Sequence, residues 1–557
     1  MPAYFWQDMK KRSSCLTYLS IALIFSVLSA FISCRKNTTQ ESKSVFCYNE
    51  SNGITTLDPA FSRDMEVMWA TNQLFDGLVE LDSAMNVVPC IAHSWDVSPD
   101  GMHYRFFLRS DVYFHPSPLF ADSANRRAIA TDFVYSFNRI LDPALASPAS
   151  WIFSSVDRTH HGGFEAVNDS TLDIHLKEPF QPFLGMLTMQ YCNVVPREVA
   201  EHYGADFREH PIGTGPFRFA FWYENIALIM HRNNRYWMRD SDGNRLPYLD
   251  AVKIEFVKDM SVEFQGLLQG KYDFMSGIHS SFKDELLDQN GNLAKTYQGT
   301  LTFQRTPFIK TDYLGFQVDS TAEINAGSPL MNRKVRQAIS YAIDKQEMVR
   351  YLRNNTVFPA NSGFVPPMLN PSNDNTYYEY DVDKARTLLT EAGYPEGKGM
   401  PEIVISTTGD YADLIEYIQH ALATIGLNVR IQVLQGPALR EQSAKAQLAV
   451  FRKSWLADYA DAENFLAVFY SRNFCPSGPN YTHYNNSQYD ALYESIRYES
   501  NDSLRFERVA ETNELLMQDA PVIPLYYDQV SHFIRNNVQG LETNPVNMLD
   551  LRPVRKQ

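Results

Sequence analysis

Val88-Pro89, Ala92-His93-Ser94-Trp95-Asp96-Val97-Ser98-Pro99-Asp100-Gly101, Tyr104-Arg105-Phe106-Phe107-Leu108-Arg109 and Val112-Tyr113-Phe114-His115 form the stretch on which the reading of this chain turns. It runs on into Ala130-Thr131-Asp132-Phe133-Val134-Tyr135-Ser136. Outward from it, short strand-like and helix-like segments alternate along the whole chain. Polar and apolar residues alternate at Thr171–Leu176, Val252–Phe256 and Val429–Val433, the two-residue period of a strand. Val335, Ala338, Ile339, Ala342 and Ile343 instead follow helical spacing. So do Ala385, Leu388, Leu389 and Ala392, with Asp383 as the expected cap and Gly393 just past the end. No fixed-period repeat or low-complexity tract interrupts the pattern. The class is mixed α/β, and its breaks read as turns rather than long linkers.

The chain has 557 residues, 44% of them hydrophobic, which is enough for three or four cores of ordinary domain size. Its net charge of −15, with no long basic run, argues against a nucleic-acid partner, because polyanions are held through clustered Lys and Arg. Only Leu16–Ile32 approaches membrane length, so a polytopic membrane protein is excluded.

That apolar segment follows Lys10, Lys11 and Arg12 and reads as a secretory signal. Met9, directly before the basic cluster, is an alternative start. Phe31-Ile32-Ser33-Cys34 resembles a bacterial lipobox, which makes Cys34 the expected lipidation site, residues 1–33 the signal peptide and 34–44 a polar tether. The expected location is the periplasm or cell envelope, as a membrane-anchored lipoprotein. Cys47, Cys90, Cys192 and Cys475 remain, none spaced as a Cys-x-x-Cys. An oxidising compartment permits a disulfide, but four scattered thiols buried as small apolar residues is the favoured reading.

Catalytic signatures are missing. There is no Gly-x-Ser-x-Gly elbow, no His-Glu-x-x-His, no phosphate loop and no Gly-x-Gly-x-x-Gly fingerprint. Gly213-Thr214-Gly215-Pro216 lacks the lysine of a phosphate loop, continues into strand-like Phe217-Arg218-Phe219, and reads as a turn. Asp240-Ser241-Asp242-Gly243 lacks the further ligands of a calcium loop and reads as a hairpin turn. His160-His161 beside Gly162-Gly163 has metal-binding chemistry, but neighbouring histidines rarely converge on one ion without a third ligand, so a solvated loop is expected. The expectation is therefore a protein that is not an enzyme and needs no cofactor or metal.

The opening block resembles the hallmark of the bacterial extracytoplasmic solute-binding proteins of the peptide/nickel family, receptors of ABC importers. Further matches follow in that family's order. They are Thr56-Leu57-Asp58-Pro59, Gln73–Leu78, Pro211–Phe217, Leu267–Asp273, Val335–Asp344, Ala385–Pro395, Trp455-Leu456-Ala457-Asp458-Tyr459 and Ala520–Leu525. The resemblance implies a bilobal α/β fold of the periplasmic-binding-protein type (type II, cluster C), with an extra subdomain on the N-terminal lobe. Lobe I is then discontinuous (45–85, 208–305 and 525–557), the subdomain occupies 86–207, and lobe II 306–524. Two crossings, near Thr306-Pro307-Phe308 and Pro524-Leu525-Tyr526, would let the lobes close on a ligand.

In peptide-binding members, the Asp of the Trp-x-Ala-Asp-Tyr stretch receives the ligand's α-ammonium, and the matching residue is Asp458. A desolvated ammonium needs such a partner. Ser454–Ala457 can pair with an extended ligand backbone, which reads no side chains and suits a broad-range receptor. Trp455 is expected in the apolar wall, Ala457 and Tyr459 beside it, and Arg452 as a partner for a ligand carboxylate. Asp461 and Glu463 read as solvated or capping. The resemblance implies a monomer that captures peptides and delivers them to an ABC permease and ATPase. A nickel chelate, haem or glycan is the alternative cargo within the family, and a surface hydrolase or a signalling or adhesion protein the alternative outside it.

Overall fold

The computed structural model describes residues 44–278 and 282–557. Two long antiparallel strands, Leu301–Phe316 and Val522–Arg535, form its spine. Their ladder breaks register between Pro307 and Thr311, opposite Gln529 and Tyr527. On one side of that break the sheet continues through Phe274–Ser276, Val45–Asn49, Ala251–Glu255, Ala227–Arg232 and Phe217–Tyr223. On the other side lie Val450–Leu456, Ile403–Thr407 and Val429–Val433, with the short Phe358–Pro359 against the second long strand. Each half carries its own core, so the long strands are the backbone links between two lobes.

The strand-like and helix-like segments form near where the periodicity places them; the helix through Val335 ends at Tyr341, so Ile343 lies beyond it, and another helix shifts its start. The helix Val382–Glu391 begins two residues earlier than Asp383 implies, because Asp381 accepts the Lys384 backbone N–H (2.9 Å) from extended backbone. Asp383 instead sits in the first turn, where its charge suits the helix dipole. Gly393, at φ +92°, closes the helix in the left-handed region.

In lobe II, helices Arg333–Tyr341, Lys345–Arg353, Val382–Glu391 and Ala412–Ala423 bury Val335, Ile339, Leu389 and Ile418 on one sheet face. Ser487–Tyr498 and Asp502–Asp519 cover the other with Tyr489, Ile496, Val509 and Leu516. Each such side chain contributes roughly 1.5–3 kcal/mol by leaving water. Arg336 ties the two layers, donating to the carbonyls of Ala520, Asp519 and Leu330.

In the other lobe, the Gly213–Pro216 turn packs on the end of helix Met65–Leu74. A Cβ at Gly213 would lie 2.0 Å from Leu74 O and one at Gly215 2.5 Å from Leu74 C, so only glycine permits this approach. His115 fastens the turn: its backbone N–H donates to Gly213 O (2.7 Å) and its Nε2 meets Gly215 O at 2.9 Å. A separate four-stranded antiparallel sheet, ordered Ala92–Val97, His103–Leu108, Thr171–His175 and Phe164–Asn168, lies within residues 86–207. Asp240 accepts the backbone N–H groups of Asp242 and Asn244, making the expected hairpin turn. Cys90, Cys192 and Cys475 are buried free thiols, and Cys47 is free and half-buried. Among the described residues, no helix is long and apolar enough to cross a membrane.

Burial holds the imidazoles of His115 and His532 down to about 4. An unfolded histidine titrates at about 6.5. As pH falls from about 6.5 to about 4, the unfolded chain therefore takes up protons at these sites that the native chain refuses, and stability falls. Below about 4 the contribution levels off. His115→Gln is expected to flatten the stability–pH slope across that window by about 1.4 kcal/mol per pH unit. Urea unfolding at several pH values measures it, and parallel wild-type and variant slopes would contradict the assignment.

Candidate functional site

The strand Val450–Leu456 sets the geometry of the site. One edge pairs with the first long strand from Phe316↔Val450 to Lys310↔Leu456. The other pairs with Ile403–Thr407 only at Val450 and Phe451. Beyond Phe451, no further strand pairs with that edge among the described residues.

At the end of this strand, Leu456, Ala457, Asp458 and Tyr459 enter the wall of a cavity of about 480 Å³, a volume suited to a small ligand. The opposite wall comes mainly from segments 63–83, 188–193 and 540–553 of the other lobe and its subdomain, with Cys90 and Tyr236. The cavity thus lies between the lobes.

Asp458 faces this cavity with an exposed side chain. Its neighbour Asn464, buried on helix Ala462–Leu466, brackets the site. The Asn464 Oδ1 accepts from Trp455 Nε1 (2.9 Å) and the Asp458 backbone N–H (3.2 Å), while its Nδ2 donates to Asp458 Oδ2 (3.4 Å). Asp458 has no ion-pair partner among the described residues, and the surrounding protein mass raises its carboxyl above the usual range by desolvation. A cation brought to this carboxylate supplies the compensation it lacks.

Tyr459 is buried, packs near Trp151 of the subdomain at 6.3 Å, and donates its hydroxyl to Glu463. Glu463 also accepts from Tyr493, and burial raises its pKa. It is a buried acceptor rather than the solvated group its acidity alone suggests. Asp461 does cap the helix, accepting the Glu463 N–H, and is paired with Arg505 at 2.6 Å. Trp455 is half-buried with its indole N–H held by Asn464.

Arg452 is placed differently from the sequence expectation. It is buried away from the cavity lining, paired with the fully buried Asp312, its guanidinium 3.1 Å from the ring centroid of Tyr411. Burial lowers its pKa to about 10. Strand alternation put it on a plausible face but carried no sign of Asp312, which joins it only through the sheet register Leu314↔Arg452 and Asp312↔Ser454.

The wall is acidic: Asp76, Glu80, Asp82, Asp458, Glu542 and Asp550 stand against Arg63 and Arg552. Arg552 is committed to Asp550 (2.9 Å) and Glu80 (2.8 Å), which raise its pKa against the opposing effect of burial. Asp76 accepts from Thr214 (2.8 Å) and Tyr236 (3.0 Å), with burial raising its pKa. Arg63 is 72% exposed, and its ion pair with neighbouring Asp64 is loose at 3.9 Å. Apart from Asp458 and from Asp76, which falls in the Gln73–Leu78 motif, sequence reasoning missed these groups. They come from distant segments and carry no shared local pattern.

Comparison with known proteins agrees with this architecture. Residues 86–474 match the family model for bacterial extracellular solute-binding proteins, family 5 Middle. The dipeptide-binding protein DppE of Bacillus subtilis (strain 168) is 26% identical over 532 residues, 91% of each chain. The glutathione-binding protein GsiB of Salmonella typhi is 27% identical over 500 residues, 89% of this chain and 91% of that protein. Among solved structures, the ABC transporter-associated periplasmic binding protein DppA from Helicobacter pylori, in complex with peptide STSA, superposes with a TM-score of 0.73 at 25% identity. The superposition covers 92% of this chain and 99% of that one. These relatives are binding proteins, and the fold is the type II bilobal fold. With two lobes, a cavity between them and a family match over most of its length, the chain belongs to the bacterial extracellular solute-binding proteins of family 5.

Proposed function

We propose that this protein is a lipid-anchored receptor that captures short peptides between its lobes and hands them to an ABC importer. The observation that carries the reading is Asp458: a carboxylate exposed to the cavity and, among the described residues, without an ion-pair partner and just after a strand edge with which no further strand pairs. A peptide's α-ammonium pairs with that carboxylate while its backbone adds to the edge of Lys453–Leu456. Arg63 stands on the same cavity and takes over the role first expected of Arg452, meeting a ligand carboxylate. No bond is made or broken, since binding needs only closure and release. The names of the relatives, which include dipeptide-, glutathione- and peptide-bound proteins, support the same cargo class.

Calorimetry of the purified protein with dipeptides to hexapeptides tests the reading. Free-amine peptides are expected to bind and their N-acetylated forms to bind weakly. Failure of every peptide in the panel overturns the cargo.

Anchoring rests on Cys34, which lies outside the described residues. Cys34→Ser is expected to leave the protein unprocessed or release it from the membrane fraction, read by fractionation and intact mass. Continued membrane association of a correctly cut chain rejects lipidation.

A further inference from the structure

The subdomain sheet gathers four imidazoles that belong to neither lobe's cavity. His103 and His175 are cross-strand neighbours, with rings stacked at 4.5 Å between centroids and only 2° between planes. Asp173 lies on the same face, 3.1 Å from the His103 Nε2. The Nε2 atoms of both histidines are shut off from solvent, and while that of His103 has Asp173 beside it, that of His175 makes no hydrogen bond. Two parallel imidazoles gain little from stacking alone, so the His175 nitrogen left buried and unused is a cost that the fold carries.

The His160-His161 loop, which the sequence read as merely solvated, folds back onto this pair. Asp157 donates its N–H to His175 O (2.8 Å), and Gly163 donates to His160 O (2.7 Å). The turn needs Gly163 at φ +91°, where a Cβ would meet Val156 Cγ1 at 2.3 Å. It brings the His160 ring to 4.1 Å from His175, and places His161 3.8 Å from Glu165 on the neighbouring strand. Further ligands therefore come both from Glu165, four residues on, and from the strands that carry His103, Asp173 and His175.

We infer that His103, His175 and Asp173, closed over by His160, form a binding site for a borderline divalent cation of the Zn²⁺ or Ni²⁺ class. Ligand atoms of His103, Asp173 and His175 already lie within 4.8 Å of one another, as do those of His160, His161 and Glu165. A tetrahedral zinc site spaces its ligand atoms about 3.4 Å apart, so side-chain rotation suffices to converge them. Imidazole-rich sites select these ions over Mg²⁺ and Ca²⁺, which require oxygen ligands. Arg105 holds Asp173 through two bonds of 2.8 and 2.7 Å. It orients that carboxylate and leaves the imidazoles as the main donors.

Equilibrium dialysis of the tag-free mature protein against Zn²⁺, with Co²⁺ absorption reporting coordination, tests the site. One ion per chain is expected, with Mg²⁺ in excess failing to displace it. His175→Ala should abolish uptake. His160→Ala, on an exposed loop where folding is not at stake, should weaken it at least tenfold and leave peptide binding unchanged. No Zn²⁺ uptake by wild type, or uptake undiminished in the His160→Ala and His175→Ala variants, overturns the assignment.

Discussion

Asp458→Asn is expected to weaken binding of free-amine peptides by about a hundredfold or more. The amide keeps the shape of the side chain and its contact with Asn464 but removes the charge that meets the ligand ammonium. Once the lobes close, that ammonium is left desolvated without a counter-charge, which is the costly situation. N-acetylated peptides bring no ammonium, so their already weak binding should change by less than about threefold. Titration calorimetry of both peptide forms against wild type and variant separates the outcomes. Equal losses for the two forms would remove Asp458 from ammonium recognition, even if the protein still bound peptides through the strand edge.

Arg139→Ala is expected to lower stability by about 3–5 kcal/mol. Arg139, on the subdomain helix Ala130–Ile140, reaches Asp58 through two bonds of 2.9 and 2.5 Å, and both side chains are nearly buried. The same Asp58 accepts the Ala60 N–H and so caps the turn Pro59–Phe61. Deleting the guanidinium leaves a carboxylate enclosed by protein with its charge unmatched, whereas Arg139→Met combined with Asp58→Asn removes both charges and should cost less than the single alanine change. Urea unfolding gives both values. A loss below about 1 kcal/mol for Arg139→Ala would show that water reaches the carboxylate and that the pair behaves as a surface salt bridge.

Much of the architecture was legible in the order of residues. Period-two alternation at Val429–Val433 and helical spacing at Ala385–Ala392 correspond to a strand and a helix, because these patterns express which face is buried. Asp383 was the expected cap of the second element, but backbone geometry gives that role to Asp381, two residues earlier. Asp458 could be proposed from sequence because its local motif is distinctive. The burial of Arg452 was not legible because an arginine's partner is decided across the sheet: Asp312 and Arg452 meet only once Leu301–Phe316 and Val450–Leu456 are in register. Glu463, read from its charge as solvated, is enclosed by two tyrosine hydroxyls from different elements.

By itself, the sequence determined the alternating α/β pattern, the acidic character and the family blocks, since each depends on residues close together along the chain. The tertiary structure alone decided which charges remain available. It drew 63–83 and 540–553 together opposite Asp458 to make an acidic wall, committed Arg552 to Glu80 and Asp550, and stacked His103 on His175 beneath His160. The physical reason is that desolvation, ion pairing and ligand convergence act over a few ångströms of space, and the chain reaches those distances only after its remote segments have closed on one another.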